Sequence, residues 1–426
     1  MAADDTPGPD RLAAEVRTWL AAHWDPDQTV REWWQALAQS GWGFPTWPRE
    51  WFGRGLGARE ATVVHEELQR AGALSAPHSI GQTLGEAVLL GHGTDEQRAR
   101  FLPPLATGEE NWCQFFSEPG AGSDLASVHT RAVLDGEEYV VDGQKVWSSG
   151  ARDADRGILV ARTDSDVPKH RGISFFVIDI DQPGVELRPI RQMNGESHFN
   201  ETFFTEARVP ADQMIGGEGH GWAVTTAALM QERVSYAAGD ETGRAVPPGR
   251  RAGLLDLPVH EAMAREGGHR RGHFAFPIGS ATAMVDLARE HGRDDDPLVR
   301  HRIARLHVLS EGARLMAMRA KEAAAAGRPV GPEGSLGYVA GVLIARTWRD
   351  LALEVLGPDA MLQGAGAPRG GAVQLAALST LSHGIQGGSE QIQRNIIGER
   401  VLGLPREPQV DRDVPFRDLA VGTQRG

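Results

Sequence analysis

The sequence predicts a mainly α fold with a β-domain inserted between two helical regions. Two observations carry this expectation. An apolar period of helical spacing runs to about residue 110, disappears between Trp112 and Val209, and returns from Gly221. Inside the interruption, the pairs Asp135-Gly136 and Asp142-Gly143 sit between β-rich runs, the strongest short hairpin signal. The expected division is an N-terminal helical domain over 1–111, a central β-domain over 112–217, a helical region over 218–406 and a tail over 407–426. A chain of 426 residues exceeds one small core, and a prior of about 150 residues per domain gives two or three modules.

The elements follow in order. Asp10 is placed to cap a first helix carrying Leu12, Val16, Trp19 and Leu20. A second helix spans Val30–Gln39 and stops at Gly41. The Gly-, Pro- and Trp-rich stretch Gly41–Gly57 reads as an ordered loop. Ala58–Ala71 is helical, as is the segment after Pro77 through Leu90. Thr94 or Asp95 caps a short helix ending at Pro103-Pro104. Expected strands are Tyr139–Val141, Lys145–Trp147, Gly157–Arg162, Ile173–Ile180, Val185–Pro189, Asn200–Phe204 and Arg208–Val209. Helices resume at Trp222–Ala238, Ile278–His291, Pro297–Ala326, Leu336–Leu356 and Glu390–Val401, the last capped by Ser389. Residues 239–271 hold Pro247-Pro248, Arg250-Arg251 and Gly267-Gly268. They read as a polar surface excursion with a short helix near Val259–Arg265.

Composition excludes several function classes. The formal charge is 44 − 57 = −13, which argues against a nucleic-acid or anionic-membrane partner. Cys113 is the sole cysteine, so neither an internal disulfide nor a Cys-rich metal site is expected, and no metal is assigned. The N-terminus is acidic without an apolar core segment, and no run of 18 apolar residues occurs. A cytoplasmic protein is therefore expected.

One loop stands out at the first junction, Phe116 to Asp124. Gly120 and Gly122 can adopt positive φ and admit a ligand close to the backbone. Ser117 and Ser123 add hydroxyls. By itself such a loop is an ordinary turn, and its setting gives it weight.

That setting resembles the acyl-CoA dehydrogenase family. The resemblance is carried by Phe116-Ser-Glu-Pro-Gly-Ala-Gly-Ser-Asp-Leu125, Asp142-Gly-Gln-Lys-Val-Trp-Ser-Ser-Gly150, Gly216-Gly-Glu-Gly-His-Gly-Trp222 and Gly387-Gly-Ser-Glu-Gln-Ile-Gln-Arg-Asn-Ile-Ile-Gly-Glu-Arg400. It implies a helical N-domain, a central β-barrel-like domain and a C-terminal four-helix bundle. FAD would lie between the β-domain and the bundle, completed by a neighbouring subunit of a homodimer or homotetramer, with mixed assemblies known among relatives. The implied reaction oxidises an acyl-CoA or acyl-carrier thioester to its 2,3-enoyl product. Electrons would pass to an electron-transfer flavoprotein.

The same resemblance assigns roles residue by residue. Positions matching Gln114, Phe116, Ser117, Gly122 and Ser123 line the flavin, and Ser123 also lies near the thioester arm. Trp147 matches the tryptophan packed on the ring, against a plain strand-core reading. Ser149 matches the hydroxyl near its N5 side. Ser389 and Gln391 match residues touching FAD, and Arg293 falls where an arginine reaches the other subunit's pyrophosphate. The chain departs from the family pattern at Gly357-Pro358, where relatives carry Gly-Gly.

The base needs separate argument. The customary glutamate position is Gly387, which cannot take a proton. Glu390 reads as a solvated charge at a helix N-terminus. A second family solution places a glutamate before an arginine on the first bundle helix, here Glu232-Arg233. Glu232 shares a helical face with Ala228, Leu229, Ser235 and Tyr236, and desolvation there would raise its pKa. The competing reading pairs Glu232 with a structural arginine. Arg233 is expected at the acyl-CoA end of the cleft or in a structural ion pair. Two further readings stay open: a flavin-dependent monooxygenase on the same fold, and a non-catalytic subunit of a mixed assembly.

Overall fold

The computed structural model describes residues 8–238, 246–269, 276–325, 331, 333–408 and 411–419. The N-terminal helices are α1 (Pro9–His23), α2 (Val30–Ser40), α3 (Ala58–Arg70), α4 (Ile80–His92) and α5 (Asp95–Ala106). Pro9 opens α1 after Gly8, so Asp10 lies in the first turn instead of capping it. Thr29 and Glu32 form a capping box on α2, and Gly41 ends that helix in the left-handed region at φ 73°. Thr94 and Gln97 form a second box on α5. This helix continues through Pro103 and Pro104 to Ala106. Burial of Leu102, Leu105 and Ala106 holds its last turn against the loss of two N–H donors.

The β-domain comprises β1 (Trp112–Phe115), β2 (Arg131–Asp135), β3 (Glu138–Ser149), β4 (Arg156–Arg162), β5 (Ile173–Asp179), β6 (Val185–Ile190), β7 (Phe199–Pro210) and β8 (Met214–Ile215). They form one eight-stranded sheet in the order β6-β7-β3-β2-β4-β5-β8, with β1 added on β4. The β1–β4 pair and the β2–β4 contact are parallel; the other pairs are antiparallel. Side chains from β1, β4, β5 and β7 meet in one core, with Phe115 edge-on to Phe204 at 5.4 Å. β1 and β7 are not paired in the sheet, so this meeting means that the sheet curls on itself.

Only one Asp-Gly pair makes a hairpin. Gly136, at φ 67°, turns the chain between β2 and β3. Asp142-Gly143 instead lies inside β3, at an irregularity between Val141 and Gly143 against β7. Asp142 Oδ1 accepts from the N–H of Glu206 at 3.0 Å, which joins the two strands there. A Cβ on Gly143 would come within 2.4 Å of Thr130 Oγ1, so glycine serves a close approach and not a turn.

The sheet's other face receives α4, α5 and the next helix, α6 (Gly221–Ala238). Gly81 lets α4 lie against β1, because a Cβ there would stand 1.7 Å from the Trp112 carbonyl oxygen. The remaining helices are α7 (Val259–His269), α8 (Ala281–Glu290), α9 (Pro297–Ala325), α10 (Glu333–Leu356), α11 (Ala372–Ser379) and α12 (Glu390–Ile396), which runs on as a π turn over Ile397–Val401. Met284, Leu287, Val299, Leu306, Trp348, Leu351 and Val373 join α8–α11 in one core. Each such fully buried side chain contributes about 1.5–3 kcal/mol. The sequence did not signal α11.

The expected surface excursion is a built part of the N-terminal domain where it is described. Val246, Leu254, Leu255, Val259 and Ala262 are buried with Trp33, Trp34 and Leu37 of α2. The N–H groups of Val30 and Arg31 donate to the carbonyls of Leu257 and Leu255, at 3.0 and 2.8 Å. Residues 239–245 and 270–271 of that stretch lie outside the described residues.

Candidate active site

The loop after β1 folds over a buried charged layer. Glu118 and Ala121 exchange backbone hydrogen bonds at 3.0 and 3.1 Å. Neither Gly120 nor Gly122 takes positive φ, contrary to expectation. A Cβ at either position would meet nothing within 4 Å. Ser117 accepts through its carbonyl from the N–H of Val146 at 2.9 Å, which ties the loop to β3 just before Trp147.

Trp147 is the conspicuous residue of β3. A register shift between Lys145 and Ser148 releases it from pairing, and its backbone adopts φ 65°. Left-handed backbone is rare for a bulky residue. The residue is 58% exposed, and its indole meets Phe199 edge-on at 6.0 Å. The strand-core reading therefore fails for this residue. Ser149 follows, paired with Phe199 and partly exposed.

Beneath the loop, Lys145 Nζ donates to Glu118 Oε1 at 2.8 Å and to the Phe116 carbonyl at 2.9 Å. Glu118 also accepts from the N–H groups of His129 and Thr130, at 2.6 and 2.8 Å. Burial pushes the Glu118 carboxyl up, but Lys145 and these donors outweigh it and hold the group below its usual range. Arg162 donates to the carbonyls of Ala126 and Val128, and burial pulls its guanidinium down to about 10. The residue-by-residue reading passed over Glu118, Lys145 and Arg162. The available signal was a lysine among the strand residues of β3.

The last helix supplies the facing wall. Gly387 and Gly388 turn at φ 65° and 94°, and Ser389 caps α12 by accepting from the N–H of Ile392 at 3.4 Å. Ser123 Oγ donates to Ser389 Oγ at 3.4 Å, joining the loop to α12. Gln391, two residues after Ser389, is exposed. Glu390 is not a solvated charge: it is buried, with Arg346 of α10 and Arg394 on its carboxylate at 2.7 and 2.6 Å. The Arg394 hydrogen bond, then Arg346, keep its carboxyl low.

Glu232 lies on α6 and is 7% exposed. α6 buries Val224 and Ala228 in the core shared with Leu84 and Val88 of α4. Arg233 is also on α6, and its side chain lies outside the described part of the structure. A second inward carboxyl sits on α4: burial pushes Glu86 up to about 8, against a hydrogen bond with Trp47.

The other expected site residues are dispersed. Gln114 is partly exposed on β1, and the Phe116 ring is buried edge-on to Phe175 at 5.8 Å, leaving its backbone for contacts. Arg293 sits apart in the bundle, donating to the Glu354 carbonyl at 3.3 Å and pairing with Asp296 at 2.7 Å. No group of three or more metal-ligating side chains occurs among the described residues.

Comparison with known proteins agrees with this architecture. Three family models match in order: the acyl-CoA dehydrogenase N-terminal domain over residues 10–109, the middle domain over 113–207 and the C-terminal domain over 261–402. The chain belongs to the acyl-CoA dehydrogenase family and is an oxidoreductase of lipid metabolism, a flavoprotein by class. It is 37% identical to acyl-CoA dehydrogenase IpdE1 of Mycobacterium tuberculosis, over 93% of this chain and 98% of that protein. Among solved structures it resembles the Tcur3481-Tcur3483 steroid ACAD, with a TM-score of 0.68, 28% identity and coverage of 96% and 100% of the two chains. It also resembles the ChsE4-ChsE5 complex of Mycobacterium tuberculosis, with a TM-score of 0.66, 28% identity and the same coverage. Among the described residues, no helix is long and apolar enough to cross a membrane.

Proposed function

We propose that this chain binds FAD between the loop after β1 and α12, and oxidises an acyl thioester across Cα–Cβ with Glu232 as the base. The observation that carries the reading is the meeting of Ser123 and Ser389 beside glycines whose Cβ positions face open space. Neither strain nor packing within the chain calls for glycine at 120 and 122; a closely held ligand does. The exposed, left-handed Trp147 fits the same cofactor, since backbone strain of this kind gathers at ligand sites. Ser117, Ser123, Ser149, Ser389 and Gln391 offer polar groups for its edges, Trp147 covers its ring, and the backbone near Gln114 and Phe116 completes the cradle. When bound, FAD supplies the two-electron acceptor for the substrate's β-hydrogen.

The chain's own task is the α-proton. A proton next to a thioester carbonyl is weakly acidic, so its removal needs a positioned base in a desolvated setting. Glu232 is a buried carboxylate on α6, and Gly387 offers none. We assign Ser123 to the thioester arm and Arg233 to the CoA end. We assign the acceptor role for the electrons to an electron-transfer flavoprotein.

Assembly with a second subunit belongs to the same proposal. Leu298 and Val308 of α9, with Ile385 and Leu402 near α12, are each more than half exposed and offer apolar surface that a second subunit would cover. The two structural relatives named above are described as two-chain proteins, which supports a homologous chain as partner.

Anaerobic flavin bleaching against straight-chain and steroid-type acyl-CoA esters tests the whole reading. The purified chain is expected to be yellow and to bleach with at least one ester. Glu232→Gln should retain FAD and lose bleaching; undiminished bleaching would remove Glu232 as base. Rapid oxygen uptake by the reduced protein would favour a monooxygenase. A colourless chain, inactive until mixed with a homologue, would favour the non-catalytic role.

A further inference from the structure

The charged layer under the loop takes no part in the proton chemistry, yet it is tied to both ends of the cradle. Lys145 is fully buried and the Glu118 side chain is 7% exposed. One ion pair at 2.8 Å therefore holds the Phe116 carbonyl on one side and the N–H groups of His129 and Thr130 on the other. Arg162 fixes the carbonyls of Ala126 and Val128 between them. The loop's apex, Gly120 and Gly122 through Asp124, is exposed, while buried ionisable side chains hold its base together with the backbone tie from Val146 to Ser117.

Buried ion pairs are weak sources of stability, because desolvation offsets their attraction, and apolar replacements are often neutral. What such a pair supplies is a unique geometry: a fully satisfied network has one arrangement. Of the network's hydrogen bonds to main chain, all but one, from Arg162 to the Lys169 carbonyl at 3.0 Å, end on a peptide group of the loop or of its return into β2. We propose that Glu118 and Lys145, supported by Arg162, are positioning residues that set the shape of the FAD-binding loop. This rests on the reading that the loop holds FAD.

The test compares the wild-type chain with Glu118→Gln, Lys145→Met and the double variant. Lys145→Met leaves a carboxylate buried without its partner, and its melting temperature should fall sharply. The double variant removes both charges and keeps an acceptor for one of the two N–H groups, since His129 and Thr130 bond to different carboxylate oxygens, so part of the melting temperature should return. FAD affinity, read by flavin fluorescence, should stay at least about tenfold below wild type in the double variant, as for other supporting residues behind a binding site. In the FAD-free protein, amide exchange at residues 117–130 should accelerate in the double variant while exchange elsewhere does not. Recovery of FAD affinity together with melting temperature would overturn the proposal, as would failure of both Lys145 variants to fold, since the pair would then serve the fold itself. A wild-type chain that takes up no FAD would defeat the reading of the site. In that case amide exchange still decides: faster loop exchange supports the positioning role, and unchanged exchange overturns it.

Discussion

Ser123 and Ser389 stand 266 residues apart in sequence and meet hydroxyl to hydroxyl at 3.4 Å. One belongs to the loop leaving β1 and the other to the first turn of α12. The two hydroxyls are not equivalent. Ser389 also caps its helix, whereas Ser123 has no such duty. Ser123→Ala should leave the melting temperature unchanged and weaken FAD binding. Ser389→Ala should do both, with about 0.5–2 kcal/mol lost from the cap. Calorimetry and flavin fluorescence on the two variants would separate these effects; equal stability loss in both would contradict the division of roles.

Trp147 should show a separation of the opposite kind. Its φ of 65° costs an L-residue about 1–2 kcal/mol, which Trp147→Gly would relieve. Glycine brings its own entropic cost of about 0.5–1 kcal/mol. The melting temperature should therefore move by no more than about 2–4 °C, while FAD affinity drops. A large loss of stability would show that the exposed indole supports the fold.

Glu86 sets a pH dependence. Folded, its carboxyl keeps the proton up to about 8; unfolded, it releases it near the usual 4.5. A raised value stabilises the fold fully below 4.5, and that contribution is lost as pH rises through about 8. Glu86→Gln mimics the protonated form at every pH. Urea unfolding at pH 5 and pH 8.5 should therefore show a smaller drop for the variant than for wild type. Parallel drops would rule out Glu86 as the titrating group.

The helical, β and helical texture was readable because hydrophobic period is a local property, shared by residues three or four apart. The cap at Ser389 and the stop at Gly41 were readable for the same reason. Asp142-Gly143 misled because the turn signal is also local, whereas the reason for that glycine is Thr130 lying against it across the domain. Trp147 shows the limit of period reasoning from the other side: a register shift turned a strand residue outward. Glu390 was misjudged because its partner Arg346 comes from α10. The Glu118–Lys145 pair joins residues 27 positions apart, and nothing in either neighbourhood announces the other.

The segment 246–269 is encoded between two bundle helices but completes the core around Trp33 and Trp34. Arg31 and Asp256, which pair across this contact at 2.8 Å, are 225 residues apart. During synthesis α1 and α2 therefore leave the ribosome long before part of their packing surface exists. Trp33 and Trp34 meet Leu74 and Ser75 early, but the side of this core that 246–269 covers waits through translation of the whole β-domain. Such long-range closure slows folding and exposes apolar surface meanwhile. The core of the N-terminal helices is thus closed only by a late segment, and chaperone demand during biosynthesis should fall once α7 has emerged.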